Sequence, residues 1–357
     1  MNILDDVVAM KTLDPSNVLG STSLFADQCK QAWEESSVIT FPSSYNQIYN
    51  IVVCGMGGSR FTPKTIKELY KDRITEPYEI NEDYNLPAYV DEDTLVILSS
   101  FSGSTEEVIS CARQAIERKA KVTAVVGGGT LAEMAKTHGF PAYIFSPKFN
   151  PCGQPRIGGG YLLMGHIGIL KSLGLLKIEN SEITSAIEFV RTITKLYEPQ
   201  IPLARNTAKE LATNLFGKHP FIITSEFLRG FGNGFANQIN ETAKMISDYR
   251  YIPELNHHLM EGLKHPDSLR QNALFLFFLS SLYNERIQTR FDITIDIVKK
   301  QQIAAHTIKL TGSTPLEQVL EAFTLSGFTT FYLAMLYGGD PVAIPWVNMF
   351  KEKLAKS

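Results

Sequence analysis

The amino-acid sequence predicts an α/β protein built from two parallel-sheet units in tandem. Three features support this fold class: the length, short β-rich runs that alternate with helical segments, and a second round of the same alternation. A chain of 357 residues has room for two domains at about 150 residues each. Strands that alternate with helices form a parallel sheet with helices on both faces, so we expect two doubly wound units.

The first unit is expected at residues 46–180, behind a helical lead-in at residues 1–45. Its predicted strands cover residues 51–54, 95–100, 122–126 and 142–145. Its predicted helices cover residues 62–71, residues 106–119 and a short segment from Leu131. Within the second of these helices, Val108, Ala112 and Ala115 recur at helical spacing on one face, which indicates packing against the sheet.

The second unit is expected at residues 190–357, after a boundary near residues 175–195. Its predicted strands cover residues 221–225, 273–281 and 306–310. Two predicted helices, at residues 185–197 and 203–215, bridge the two units. The second unit has predicted helices at residues 237–246 and 315–336, and two more begin near Ile293 and at Pro345. A glycine-rich turn is expected at Gly230, Gly232 and Gly234. The units are alike in element order rather than in residue identity, which suggests a duplicated domain.

Composition and charge exclude several functional classes. The sequence has 34 Lys and Arg against 37 Asp and Glu, a net charge of -3, whereas a nucleic-acid-binding surface needs an excess of basic residues. The apolar run at residues 273–279 is too short to cross a bilayer, and the acidic N-terminus predicts no signal peptide. The cysteines are dispersed, which fits a reducing, cytoplasmic setting; they are Cys29, Cys54, Cys111 and Cys152.

Two turns rich in glycine and hydroxyl groups follow predicted strands of the first unit. Gly57-Gly58-Ser59 follows the strand at residues 51–54, and Ser-Phe-Ser-Gly-Ser-Thr at residues 100–105 ends the next. Ligands of parallel sheets bind at the carboxyl ends of strands, where the N–H groups of helix N-termini favour an anion. The two turns therefore predict a phosphate site. An ordinary interpretation as helix caps stays open, and Thr105 is a candidate cap.

These turns belong to a wider resemblance. GMGGS at residues 55–59 together with SSFSGSTEE at residues 99–107 resembles a sugar isomerase (SIS) domain, a fold that binds sugar phosphates. NQINETAK at residues 237–244 and PELNHH at residues 253–258 are similar to motifs of the bifunctional phosphoglucose/phosphomannose isomerase family. The resemblance covers the chain from about residue 45 to the end. It implies two SIS-type domains and an isomerase of glucose 6-phosphate that needs no cofactor and no metal.

The resemblance also implies roles for individual residues. Glu241 would be the base that moves a proton between C2 and C1 through an enediolate, and His257 would open the sugar ring. Arg156 would stabilise the charge of the enediolate, and Lys351 on the last helix is a further site candidate. Such enzymes often take the histidine from a neighbouring subunit, which implies a homodimer. The phosphate would be held by Gly58, Ser59, Ser100, Ser102 and Thr105.

The sequence departs from the family pattern at three places. Arg60-Phe61-Thr62-Pro63 follows GMGGS where the family has small residues, and Ser104 stands where asparagine is common. Val342 follows Asp340-Pro341 where members that accept both epimers tend to carry threonine. Glucose 6-phosphate is therefore the first expected substrate, and mannose 6-phosphate stays open.

Ordinary structural interpretations of the candidates also stay open. Glu241 and Lys351 lie on predicted helices, where charged side chains usually face solvent. An isolated arginine such as Arg156 is most often a salt-bridge partner. His166 and His306 lie in apolar stretches and are expected in the core or at its boundary.

Other functional classes compete with the isomerase. A SIS-type sugar-phosphate sensor would bind the same ligands but would need no base such as Glu241. A metal-dependent isomerase would need clustered histidine and carboxylate ligands, which the spacing of the seven histidines does not offer. An amidotransferase-type isomerase would need an N-terminal nucleophile domain, for which the sequence gives no sign.

Overall fold

The computed structural model describes residues 2–356, which form two parallel β-sheets surrounded by helices. The strands of the first sheet are β1 (Asn50–Cys54), β2 (Tyr78–Asn81), β3 (Thr94–Ser100), β4 (Lys121–Val126) and β5 (Ala142–Ile144). The strands of the second are β6 (His219–Ser225), β7 (Asp248–Ile252), β8 (Ala273–Leu279) and β9 (Ala304–Lys309).

The two sheets share one strand order. The first runs β2-β1-β3-β4-β5 and the second runs β7-β6-β8-β9, with every neighbouring pair parallel. In each sheet the first strand lies between the second and the third, and the fourth follows the third. The predicted fold class, two doubly wound parallel-sheet units, is therefore confirmed.

Helices cover both faces of the first sheet. Alternate residues of its central strands enter different apolar clusters: Ile51 and Val53 enter one, while Val52 and Cys54 enter the other. The first of these clusters continues into the second unit, so the two units share a core.

The helices are α1 (Val7–Leu13), α2 (Val18–Ser23), α3 (Phe25–Ser36), α4 (Gly58–Leu69), α5 (Glu106–Glu117), α6 (Gly129–His138), α7 (Gly159–Ser172), α8 (Asn180–Tyr197), α9 (Thr207–Leu215), α10 (Arg229–Gln238), α11 (Leu259–Gly262), α12 (Leu269–Asn272), α13 (Glu285–Lys300), α14 (Pro315–Leu336) and α15 (Pro345–Leu354).

The predicted glycine-rich turn of the second unit is wrong, because Gly230, Gly232 and Gly234 lie inside α10. These glycines allow close packing rather than a turn. A Cβ on Gly230 would lie 2.3 Å from the backbone nitrogen of Thr65 in α4, and a Cβ on Gly234 would lie 2.8 Å from the ring of Phe61. The missing side chains therefore let α10 approach α4.

Other element boundaries also differ from the prediction. The helix α4 begins at Gly58 rather than at residue 62, and α13 begins at Glu285 rather than near Ile293. Strands β2 and β7 and the helix α7 were not predicted. The proposed domain boundary at residues 175–195 stays a prediction, and α8 runs through most of it.

The longest helix is a core helix. By length and hydropathy, α14 would suit a membrane span, but 94% of its most apolar window is buried inside the protein. Its capping box, formed by Thr314 and Glu317, fixes its start beside Pro315. His166 is fully buried in α7 and His306 is half-buried in β9, as expected for core and boundary positions.

Candidate active site

Three hydroxyl groups converge where β3 ends and α5 begins. The hydroxyl of Ser100 lies 2.8 Å from that of Thr105 and 3.5 Å from that of Ser102. The backbone N–H of Gly103 donates to Ser100 Oγ at 3.0 Å, and the N–H of Ser104 donates to Ser102 Oγ at 3.3 Å. Thr105 occupies the N-cap position of α5, but its hydroxyl makes no capping bond, contrary to the prediction. The first turn of α5 is thus without a side-chain cap, which suits an anion.

Ser59 connects this turn to the turn after β1. It lies in the first turn of α4 and is buried. Its Oγ accepts a hydrogen bond from the N–H of Phe101 at 3.0 Å, and its carbonyl accepts one from the hydroxyl of Ser99 at 2.7 Å. Because β1 and β3 are parallel neighbours in the sheet, their carboxyl ends lie side by side. The hydroxyl groups predicted to bind phosphate therefore lie together along this edge of the sheet.

Arg156 lies beside this edge, with a side chain that is only 2% exposed. It follows Pro155 in a short 3-10 turn. A Cβ on Gly58 would lie 3.7 Å from the carbonyl oxygen of Pro155 and 3.8 Å from the backbone nitrogen of Arg156. The segment that carries Arg156 therefore passes within van der Waals distance of Gly58, in the first of the two predicted phosphate turns (residues 57–59 and 100–105). Burial lowers the pKa of Arg156, and the carboxylate of Glu241 opposes this shift.

All N–H groups of the Arg156 guanidinium have acceptors, and these come from several parts of the chain. The bonds join the first unit to the turn that follows α10 and to the C-terminal connection, defined here as residues 337–344 between α14 and α15. The acceptors are Thr242 Oγ1 (3.1 Å), Gln154 Oε1 (2.9 Å), Glu241 Oε2 (3.4 Å) and the carbonyls of Pro341 (2.7 Å) and Val342 (3.0 Å).

Glu241 lies in a π-helical turn, Ile239–Ala243, which continues α10. Such turns are rare and are found frequently at functional sites. The Glu241 side chain is 34% exposed, so a substrate can reach it while Arg156 holds one of its oxygens. Gln238 in the preceding turn donates to the carbonyl of Arg156 at 3.1 Å, which fixes α10 against the arginine segment.

Sequence reasoning missed Lys244, which directly follows the π-helical turn. Its Nζ donates to the carbonyls of Thr242 at 3.1 Å and Asp340 at 2.5 Å. Partial burial and, next, the charge of Arg156 lower the pKa of Lys244 to about 8, against the opposing effect of Asp340 and Glu241. Its place at the end of the NQINETAK motif was the one signal that the sequence offered.

His257 and Lys351 are not bonded to this cluster in the described part of the chain. His257 ends a 3-10 turn, Glu254–His257, that follows β7, and its side chain is exposed. Among the described residues, it has no hydrogen-bond or ion-pair partner, whereas His258 pairs with Glu254. Lys351 is exposed on α15, a helix without buried residues. The described chain thus groups Glu241, Arg156 and the predicted phosphate turns, while His257 and Lys351 form no hydrogen bond or ion pair with them.

The departure at Arg60 does not add a free charge to the phosphate turn. The guanidinium of Arg60 pairs with Glu82 and donates to Asn233 Oδ1 at 2.9 Å. Glu82 directly follows β2 and Asn233 lies in α10, so the arginine joins the first unit to the second. Its charge is neutralised by the carboxylate, and the bulky residue contributes to the junction between the units.

Comparisons with known proteins agree with the fold. Residues 45–139 match the model of the SIS domain, and residues 204–354 match that of the bacterial phospho-glucose isomerase C-terminal SIS domain. A bifunctional phosphoglucose/phosphomannose isomerase from Caldicellulosiruptor bescii is 31% identical over 92% of this chain and 96% of its own. One of the same description from Aquifex aeolicus is 30% identical over 86% of this chain and 90% of its own. A solved structure of a hypothetical protein from Thermus thermophilus shares the fold, with a TM-score of 0.73 at 16% identity over 99% of this chain and 94% of that one. The chain therefore belongs to the bifunctional phosphoglucose/phosphomannose isomerase family.

Proposed function

We propose that this protein interconverts glucose 6-phosphate, and also mannose 6-phosphate, with fructose 6-phosphate. The observation that carries the proposal is the contact between the accessible carboxylate of Glu241 and buried Arg156, beside an edge lined with hydroxyl groups. The curated relatives named above support it, because they are described as phosphoglucose/phosphomannose isomerases. A base next to a fixed cation and an anion site is what aldose–ketose isomerisation needs.

The phosphate is held mainly by neutral groups in this proposal. Hydroxyl groups come from Ser59, Ser100, Ser102 and Thr105. Gly58 has no side chain and lets the backbone of the first turn approach the phosphate, and the dipole of α5 at its N-terminus attracts the phosphate charge. The Ser59 Oγ already accepts a bond from the N–H of Phe101, so its own proton remains available to a phosphate oxygen. Phosphate binding far from the reacting carbons positions C1 and C2 for the proton transfer.

Glu241 carries out the proton transfer. It removes the proton from C2 of the open-chain aldose, the C–H electron pair forms the C1–C2 double bond, and the carbonyl pair moves to O1. The proton returns to C1 while the O2 hydroxyl proton passes to O1, which yields the ketose. Arg156 holds one oxygen of Glu241 and supplies a fixed positive charge beside the enediolate.

The protein acts as a cytoplasmic homodimer, and His257 opens the ring in the site of the neighbouring subunit. The exposed ring of His257, without a partner among the described residues, supports this part of the proposal. So does α15, which carries Lys351 and exposes Trp346, Val347 and Phe350, because contiguous exposed apolar side chains mark interaction surfaces. The four cysteines are free, as a reducing compartment requires.

The test replaces Glu241 by glutamine. We expect Glu241→Gln to lose isomerase activity on glucose 6-phosphate and on mannose 6-phosphate, measured separately with coupled assays, by at least about 100-fold. Binding of fructose 6-phosphate, measured by calorimetry, should stay within a few-fold, because the phosphate turns are intact. Glu117→Gln is the matched control, since Glu117 is exposed at the far end of α5.

The same assays discriminate the alternatives. A wild-type protein that binds fructose 6-phosphate but turns over neither aldose would favour a sugar-phosphate sensor. A Glu241→Gln variant that retains activity would contradict the base assignment while leaving the isomerase reaction intact. Activity on glucose 6-phosphate alone would contradict the proposed use of mannose 6-phosphate.

A further inference from the structure

Lys244 has a backbone conformation that few residues other than glycine adopt. Its φ of 55° and ψ of 33° lie in the left-handed region, directly after the π-helical turn that carries Glu241. Its backbone N–H bonds to the carbonyl of Ile239 and closes the turn. Conformations of this kind persist where the surrounding structure enforces them, and they cluster at functional sites.

The ammonium group of Lys244 has one donor to spare. A lysine ammonium carries three N–H groups, of which one bonds to the carbonyl of Thr242 and one to that of Asp340. Neither acceptor is charged, and among the described residues Lys244 forms no ion pair at contact distance. The third N–H is therefore available to a ligand.

Arg156 has no such donor. A guanidinium carries five N–H groups, and each of those on Arg156 has an acceptor in the protein. The longest of these bonds, 3.4 Å, is the one to Glu241. A direct hydrogen bond from Arg156 to a substrate oxygen would have to replace an existing bond. Arg156 thus supplies charge and holds Glu241, but it has no free donor.

Arg156 contacts the base directly, and Lys244 lies close enough for the charge of Glu241 to act on it. Arg156 donates hydrogen bonds to the side chains of Glu241 and Thr242, and Lys244 comes shortly after these two residues in the sequence. Both cations also bond to consecutive carbonyls of the C-terminal connection, those of Asp340, Pro341 and Val342. The charged groups that act on Lys244 are Arg156, Asp340 and Glu241.

We propose that Lys244 is a further catalytic residue, which donates its third N–H to the enediolate oxygen while Glu241 transfers the proton. This inference rests on the isomerase function proposed above. The two cations then have different roles: Arg156 orients the base, and Lys244 contacts the oxygen where negative charge develops. A preorganised donor of this kind acts mainly on the transition state and so on kcat.

The test compares Lys244→Met with Lys244→Arg. We expect Lys244→Met to lower kcat by about 100-fold while KM changes by less than about five-fold, as for the loss of one preorganised donor. In the wild type, kcat should fall at alkaline pH with a pKa of about 8, as Lys244 loses its proton. Lys244→Arg should retain more activity than Lys244→Met and lose this alkaline limb, because arginine stays protonated.

Lys119→Met is the matched control, because Lys119 is a second lysine with a left-handed φ of 60°, exposed at the end of α5. Its kinetics should equal those of the wild type. Circular dichroism and thermal unfolding of each variant establish that it is folded. A folded Lys244→Met variant with kcat within three-fold of the wild type, or with a raised KM alone, would overturn the proposal.

A binding experiment separates this proposal from the isomerase function itself. The probe is a phosphorylated five-carbon aldonic acid, whose carboxylate mimics the enediolate, with inorganic phosphate as the reference ligand. We expect Lys244→Met to bind the aldonic acid at least about ten-fold more weakly and inorganic phosphate equally well. Equal affinity of both proteins for the aldonic acid would contradict a contact of Lys244 with these oxygens, whether or not the wild type turns over either aldose.

Discussion

Arg156 is a buried charge whose cost is offset by its acceptors. Moving a guanidinium out of water is expensive unless its N–H groups find partners. Here two neutral side chains, two carbonyls and one carboxylate accept from it. Because these partners surround a rigid planar group, they are held in fixed positions. Glu241 is thereby oriented before a substrate arrives, which is the arrangement that favours catalysis.

His166 provides a residue-scale prediction about pH and stability. It is fully buried, its Nδ1 lies 2.6 Å from the carbonyl oxygen of Leu162, and its Nε2 has no partner among the described residues. Burial lowers the pKa of His166 to about 4. Between about pH 6.5 and 4 the unfolded chain therefore binds a proton that the folded protein excludes. We expect the free energy of unfolding to fall over this range as pH decreases, by at most about 3 kcal/mol from this group.

Urea unfolding at pH 7.5 and 4.5 measures this effect. His166→Asn keeps an amide donor near the Nδ1 position but cannot titrate, so its loss of stability between the two pH values should be smaller than that of the wild type. His138→Asn is the control, because His138 is exposed on α6. Equal pH dependence in all three proteins would contradict the assignment.

Several residues of the candidate site were predictable from sequence, but Lys244 was not. Ser100 ends a strand and Thr105 directly precedes a helix, and this local order alone places their hydroxyl groups together. The contact of Arg156 with Glu241 joins residues 85 positions apart, so local spacing carries no information about it. The position of the Lys244 ammonium depends on a π-helical turn and a left-handed backbone, which helical periodicity does not reveal.

At the scale of elements, the packing of α10 on α4 depends on Gly230. A Cβ there would lie 2.3 Å from the nitrogen and 2.4 Å from the Cα of Thr65, and neither backbone atom can move without shifting α4. We therefore expect Gly230→Ala to lower the free energy of unfolding by about 1–3 kcal/mol. The shift of α4 should also raise KM, because Ser59 lies in its first turn.

Gly262→Ala is the control for this prediction. Gly262 also lies in a helix, but no atom of residues 2–356 approaches its Cβ position within 4 Å. Alanine should therefore leave stability unchanged or raise it by up to about 1 kcal/mol, through its better helix propensity. Chemical denaturation of both variants measures the contrast, and a Gly230→Ala variant as stable as Gly262→Ala would show that the two helices can separate at little cost.

The two strands that sequence reasoning missed share a physical reason. Strands β2 and β7 lie at the edges of their sheets, where burial is partial and the apolar run that identifies β3 or β8 is absent. The glycines of α10 resemble a turn in sequence. They are needed because α10 packs closely on α4, which is about 165 residues away, so the local sequence does not reveal their role. Buried central strands were predicted well, since their sequences are continuous apolar runs.

At the scale of the whole molecule, the candidate site is assembled from distant segments. The phosphate turns come from the first sheet, Glu241 from the π-helical turn that continues α10, and the C-terminal connection from the end of the chain. Element order was enough to predict the two sheets, but not how they meet. Their junction depends on individual bonds, such as those of Arg60 to Glu82 and Asn233. His257 has no bond to this assembly. Its ring is exposed, and the contacts within one chain do not explain what it does.

Mixing two inactive variants tests whether His257 acts in a neighbouring subunit. Glu241→Gln retains His257, and His257→Ala retains Glu241, so a mixed dimer contains one site with both groups only if the histidine crosses the interface. Random reassociation of equal amounts, after mild denaturation and refolding, gives half mixed dimers, and we expect roughly a quarter of the wild-type activity. Each variant refolded alone is the control and should stay inactive. Light scattering measures whether dimers form. A dimeric mixture without recovered activity would mean that His257 serves the site of its own chain, because no mixed dimer would then contain a complete site.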